Sequence, residues 1–166
     1  MNYQNISLGF DIATSISIVG ASVAFIFNKQ KEADKGRIKF YLEELQEIIR
    51  ILEKEAEEWF LLNEKISWAV AEKKELPSKY IVNIGFYTKF KCEQIIHGSS
   101  SVWLEKREIE EIKVLSIYCV DFANRFSESL SGSLDKEIIK PTEVLDKINK
   151  TVIFLTKSME EKSRRI

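Results

Sequence analysis

The sequence predicts an all-α protein: one N-terminal transmembrane helix followed by a cytoplasmic four-helix bundle, on three observations. Only 6 Gly and 2 Pro interrupt 166 residues rich in Glu, Lys, Ile and Leu, a composition that favours long helices over sheet. Residues 12–27 read IATSISIVGASVAFIF, sixteen positions without a charge. Beyond them, apolar residues recur every three or four positions through four segments, the period of helices with one buried face.

The first element extends back to Ile6 with Asp11 as its one charge, giving 22 residues to Phe27. At 1.5 Å per residue that covers a hydrocarbon core of about 30 Å. No Lys or Arg precedes Lys29, after which Lys31, Lys35, Arg37 and Lys39 follow. The positive-inside rule then places the N-terminus outside and the rest in the cytoplasm, as a single-pass membrane protein in contact with lipid. A basic leader region and a small-residue cleavage site are both missing, so the segment reads as an uncleaved anchor. The competing reading is a buried core helix. The expected boundary is residues 1–28 for the anchor and 29–166 for the cytoplasmic domain.

Within the anchor, a helical wheel separates three faces. Asp11, Ser15, Ile18 and Ser22, flanked by Thr14, form a polar stripe, expected to line a pore. Gly9, Ala13, Ser17, Gly20 and Ala24 form a small-residue face for close helix packing. Leu8, Ile12, Ile16, Val19, Val23 and Ile26 form a wholly apolar face for lipid. Three such faces suit a ring of identical helices around an aqueous path. The alternative is an ordinary anchor whose hydroxyls bond back to their own helix.

Residues 35–76 predict one long helix stopped by Pro77. Its stripe of Leu42, Leu45, Ile49, Leu52, Ala56, Trp59, Asn63, Ile66 and Val70 alternates steps of three and four. This is a heptad with Asn63 at a core position, or the core face of a bundle helix widened by Ile38, Tyr41, Ile48, Phe60 and Leu62. A second helix spans 78–96 with Ser78 as a candidate N-cap. His97-Gly-Ser-Ser-Ser101 is a loop. A third helix spans 102–130 on Ile109, Ile112, Leu115, Cys119, Phe122 and Phe126. Ser131-Gly132-Ser133 breaks the pattern, and Pro141 opens a last helix on Leu145, Ile148, Val152, Leu155 and Met159.

Chemistry is sparse. Lys and Arg total 25 against 26 Asp and Glu, a net charge of −1, which gives no electrostatic reason for direct nucleic-acid binding. Cys92 and Cys119 have no partner at metal-ligand spacing and read as buried, reduced thiols. No metal site, cofactor motif, phosphate loop or nucleophile elbow is expected. His97, the one histidine, ends a helix beside the loop and reads as a C-terminal cap. The runs Glu53, Glu55, Glu57, Glu58 and Glu108, Glu110, Glu111 read as solvated faces. Phe86, Tyr87, Phe90 and Trp103 fit either a core or an interface.

An outward-facing anchor, the basic junction Asn28-Lys29-Gln30-Lys31 and four following helices resemble small bacterial membrane proteins with a divergent HEPN-like domain that work in phage defence. The accessory membrane protein of type VI-B CRISPR–Cas loci is such a family. Nucleases of this domain class carry an Arg, four to six residues, then His. Here Lys91 stands at that distance from His97 and Arg125 has no His after it, so the resemblance implies an inactive nuclease domain. It implies a homo-oligomeric pore in the bacterial inner membrane that damages infected cells, working with a CRISPR effector or an RNA-triggered partner. Two alternatives stand beside it: a membrane-tethered HEPN-type RNase using His97, and a non-enzymatic, membrane-anchored docking bundle.

Overall fold

The computed structural model describes residues 3–75, 78–130 and 140–164, with side chains from Ala21 onward apart from Leu130. Four α-helices are formed: α1 (Tyr3–Ala71), α2 (Ser78–His97), α3 (Lys106–Leu130) and α4 (Pro141–Ser163). A 3-10 turn, Ser99–Val102, links α2 to α3. The chain divides into two compact units, Met1–Lys39 with Ile166, and Phe40–Arg165.

The first unit corrects the membrane expectation. Among the described residues no helix is long and apolar enough to cross a membrane. On its C-terminal side the apolar stretch meets Lys29, Lys31 and Glu32 directly after Asn28 in the same helix, and such charges are costly inside a hydrocarbon core. The single-pass topology, the outward N-terminus and the inner-membrane placement are corrected with it. Asp11, Thr14, Ser15 and Ile18, like Gly9, Ala13, Ser17 and Gly20, lie outside the residues whose side chains are described. Ser22 and Ala24 are exposed on α1, as are Val23, Phe25, Ile26 and Phe27. The Lys29 ammonium sits 5.1 Å from the centre of the Phe25 ring.

The second unit holds the core. On α1 the buried stripe is Tyr41, Leu45, Ile48, Ile49, Leu52, Glu55, Trp59, Leu62 and Ala69. Its period is the expected one and Leu45, Ile49, Leu52 and Trp59 are buried as expected, but at the alternate positions the stripe is turned by one residue. Val70 is 65% exposed, Asn63 sits at the margin, and the polar residue in a core position is Glu55. The same turn occurs on α4, where Val144, Ile148, Thr151, Leu155 and Ser158 are deepest and Leu145, Val152 and Met159 pack around them. In α3 the buried face is Glu108, Ile112, Leu115, Ser116, Cys119, Phe122 and Ala123. α2 and α3 cross closely. A Cβ on Gly85 would meet the Ala123 Cβ at 2.9 Å and the Cys119 carbonyl at 3.0 Å.

Helix α1 ends six residues before Pro77 because the backbone turns at Lys73, which has φ 52°. The Lys74 N–H reaches the Ala69 carbonyl (2.9 Å) and the Lys73 N–H reaches that of Val70 (3.2 Å). These two bonds form a Schellman cap with lysine where glycine is usual. A left-handed residue with a Cβ is strained by roughly 1 kcal/mol. Lys73→Gly is therefore expected to raise the melting temperature by about 2–4 °C, read by circular dichroism. No rise would mean that the turn is relaxed with lysine in place.

Ser78, the expected N-cap, is the first helical residue of α2. α3 starts at Lys106 rather than at 102, because residues 99–102 wind as a 3-10 turn. Glu105 is its N-cap and Glu108 its third residue, and the Glu108 carboxylate accepts the Glu105 N–H at 2.8 Å, half of a capping box. Pro141 occupies the first turn of α4, as its fixed φ favours.

Candidate functional site on helix α2 and the groove beside it

Two faces of α2 are apolar. Ile81, Ile84, Gly85, Thr88, Cys92 and Ile95 point into the core at helical spacing. Phe86, Tyr87 and Phe90 form a second stripe that faces out, 42%, 53% and 54% exposed. Asn83 and Gln94 continue that stripe at either end. A helix on a protein surface ordinarily carries polar residues on its outer face, so three aromatics there are unusual.

Beside the stripe runs a groove of about 900 Å³ between α1 and α2. Ile51, Lys54, Glu55 and Glu58 line one wall, and Tyr80, Asn83, Ile84, Tyr87 and Lys91 the other. Tyr80 to Lys91 is eleven steps of helix, a trough roughly 16 Å long. One polar contact joins its walls, and two cations rest on its rings. The Tyr80 hydroxyl donates to Glu58 (3.3 Å), the Lys65 ammonium lies 4.6 Å from the centre of the Tyr80 ring, and the Lys91 ammonium lies 5.1 Å from that of Tyr87.

Glu55 lies at the groove floor, 4% exposed. The indole N–H of Trp59 donates to the Thr88 hydroxyl (2.9 Å), and that hydroxyl donates to Glu55 Oε2 (2.7 Å). Each polar atom of this chain thereby has a partner, which buried polar groups require. Burial holds the Glu55 carboxyl above the usual carboxylate range, although the Thr88 bond and the nearby Lys91 charge pull the other way. Cys92 and Cys119 sit close by, buried and unbonded to each other. Burial pushes the Cys92 thiol up to about 12, with the Glu55 charge adding to it, and pushes Cys119 up as well. Both are protonated, unreactive thiols near neutral pH.

The raised Glu55 carboxyl makes stability depend on pH. The unfolded chain gives up this proton at lower pH than the folded one does. Stability is therefore full below the unfolded value and declines as pH rises through the folded value. Glu55→Gln keeps an acceptor for Thr88 and removes the titration. It is expected to match the parent near pH 4 and to exceed it by on the order of 1 kcal/mol near pH 8, read from urea midpoints. Parallel pH profiles for the two proteins would show that the carboxyl is not strained.

The residues singled out from sequence fare differently. Glu55 and Glu108 were placed on solvated faces and are buried, while Glu53, Glu57, Glu58, Glu110 and Glu111 lie at or near the surface. His97 is exposed in the last turn of α2. Six helical steps separate it from Lys91, about 240° around the helix, and Lys91 rests over Tyr87 instead. Arg125 pairs with Asp121 on the surface of α3 (3.5 Å). Trp103, 37% exposed, stacks on Phe40 with ring centres 5.7 Å apart. Among the described residues no group of three His, Cys, Asp or Glu side chains is placed to hold a metal.

Fold and surface together define a class, an all-helical bundle with an exposed aromatic helix face. No protein-family model, curated protein or solved structure matches the chain.

Proposed function

We propose that this chain is a non-catalytic docking module that binds a protein partner through the outer face of α2. The observation that carries the reading is the doubled apolar character of α2. Its inner stripe satisfies the core, so folding alone gives no reason for Phe86, Tyr87 and Phe90 to face out. Aromatics that stand exposed at i, i+1 and i+4 are a contact surface in want of a cover, and aromatic residues dominate the energetics of such contacts. The groove beside them, with the Tyr80 and Tyr87 rings, widens that surface.

The test places a photo-crosslinking amino acid at Phe90 and, as a control, at the exposed Lys150 on α4, in the full chain expressed in its native cells. Discrete adducts from position 90 alone are the expected result. No adduct, or the same set from both positions, would overturn the docking reading.

A further inference from the structure

We infer that the partner that covers α2 is a second copy of this chain, its α2 lying antiparallel to the first across a twofold axis between Phe86 and Tyr87. The inference rests on the docking reading and names its occupant.

The stripe is self-complementary in that arrangement and in no parallel one. With the axis between Phe86 and Tyr87, residues pair when their numbers sum to about 173. Phe86 then meets the second copy's Tyr87, Asn83 meets its Phe90, and Lys79 meets its Gln94 and lies beside its Glu93. Lys79 and Glu93 stand fourteen steps apart, one at each end of the stripe, roughly 21 Å along the helix. An antiparallel pair thus closes its aromatic centre with one Lys79–Glu93 contact at each end. A parallel pair would bring lysine to lysine and glutamate to glutamate, which repel. Within one copy Glu93 pairs with Lys89 (2.9 Å), two side chains that are 34% and 41% exposed. A pair of that kind is weakly held and free to share its carboxylate.

The size of the surface sets the strength. Three half-exposed aromatics from each copy supply on the order of 600 Å², and the polar ends bring the total toward about 1,000 Å². That is the range of reversible complexes, with dissociation at micromolar concentrations, rather than of obligate dimers.

The experiment is sedimentation velocity of the full chain over a concentration series, with four variants checked for unchanged helix content by circular dichroism. Phe86→Ser with Phe90→Ser is expected to stay monomeric throughout. Lys79→Glu alone and Glu93→Lys alone are each expected to weaken association by roughly tenfold, since every substitution acts at both ends. The double swap, Lys79→Glu with Glu93→Lys, restores opposite charges and is expected to recover association to within about threefold of the parent. A parent that is monomeric at every concentration would overturn the inference, as would a dimer indifferent to the swap. The crosslink at position 90 separates the two readings. An adduct of twice the chain mass supports self-pairing. An adduct of another mass overturns self-pairing and leaves docking in place, and no adduct removes both.

Discussion

Trp59→Ala is expected to lower stability by about 3–5 kcal/mol, the largest loss from any single side chain in the core. Trp59 is fully buried, and its ring meets the edge of Phe122 with centres 4.9 Å apart at 75°. Phe122 in turn stacks on Phe126 at 6.0 Å, so the indole is one end of an aromatic row that joins α1 to α3. Removal leaves a cavity larger than neighbouring side chains can fill, and it takes away the donor that Thr88 accepts. Single domains are stable by only about 5–15 kcal/mol, so the variant would lose roughly a fifth of that margin or more. Trp59→Phe divides the effect. It keeps most of the volume and loses the N–H, and a loss of about 1–2 kcal/mol is expected. Guanidinium denaturation followed by circular dichroism measures both. A Trp59→Ala cost below about 2 kcal/mol would mean that the α1–α3 contact relaxes around the gap and is not the centre of the core.

The helices themselves were legible because their signals are local. Pro141 at the start of α4, the Gly-Ser loop after His97 and the three-four spacing of apolar residues each act within one or two turns, and all reappear in the structure. Register was harder to read. A stripe chosen to maximise hydrophobicity includes Ala56 and Val70 and passes over Glu55. The true stripe, Tyr41, Leu45, Ile48, Leu52, Glu55, Trp59 and Leu62, has the same period and accepts one carboxylate. What decides between the two is Thr88, 33 residues away, whose hydroxyl meets that carboxylate. Spacing on α1 alone carries no trace of it. Glu108 escaped notice for the same reason, since its partner Tyr41 lies 67 residues earlier.

The N-terminal expectation failed in another way. Counting uncharged residues treats residues 12–27 as an element with its own end at the Asn28 junction. The structure carries the helix through that junction without a break, from Tyr3 to Ala71, because nothing between Asn28 and Leu42 stops a helix. Gly36 stands alone in open space, and a single glycine costs a helix only about 1 kcal/mol. A charged junction marks a change in environment, which is not the same as a change in secondary structure. The aromatic stripe of α2 was visible as a cluster, but whether Phe86 and Phe90 face in or out depends on which α2 face α3 takes. Gly85 decides that, since only a residue without a side chain lets Ala123 approach so closely.

The second large effect is expected at Glu108, where Glu108→Ala should cost about 2–4 kcal/mol. This carboxylate is fully buried and serves two donors at once. One oxygen accepts the Tyr41 hydroxyl from α1, and the other accepts the Glu105 N–H at the start of α3. Burial pushes the Tyr41 phenol well above its ordinary value, and the neighbouring Glu108 charge adds to it, so tyrosine remains the donor at every physiological pH. Around the pair, the Lys162 ammonium from the end of α4 binds Glu105, holding its carboxyl below the usual range, and Arg107 bridges Glu105 (3.1 Å) and Glu161 (3.2 Å). The exposed ion pairs contribute little by themselves. Glu108 ties the middle of α1 to the start of α3, and alanine there orphans two donors together. Glu108→Gln keeps one acceptor for the backbone N–H and loses the carboxylate acceptor of the Tyr41 hydroxyl, with an expected loss near 1 kcal/mol. Tyr41→Phe should remove about as much, and the double variant Tyr41→Phe with Glu108→Gln less than the sum, since both single changes break the same bond. Denaturant midpoints of the four proteins form the cycle. Simple additivity would mean that Tyr41 and Glu108 are neighbours without a shared hydrogen bond, and that α1 and the start of α3 are held together here by apolar packing alone.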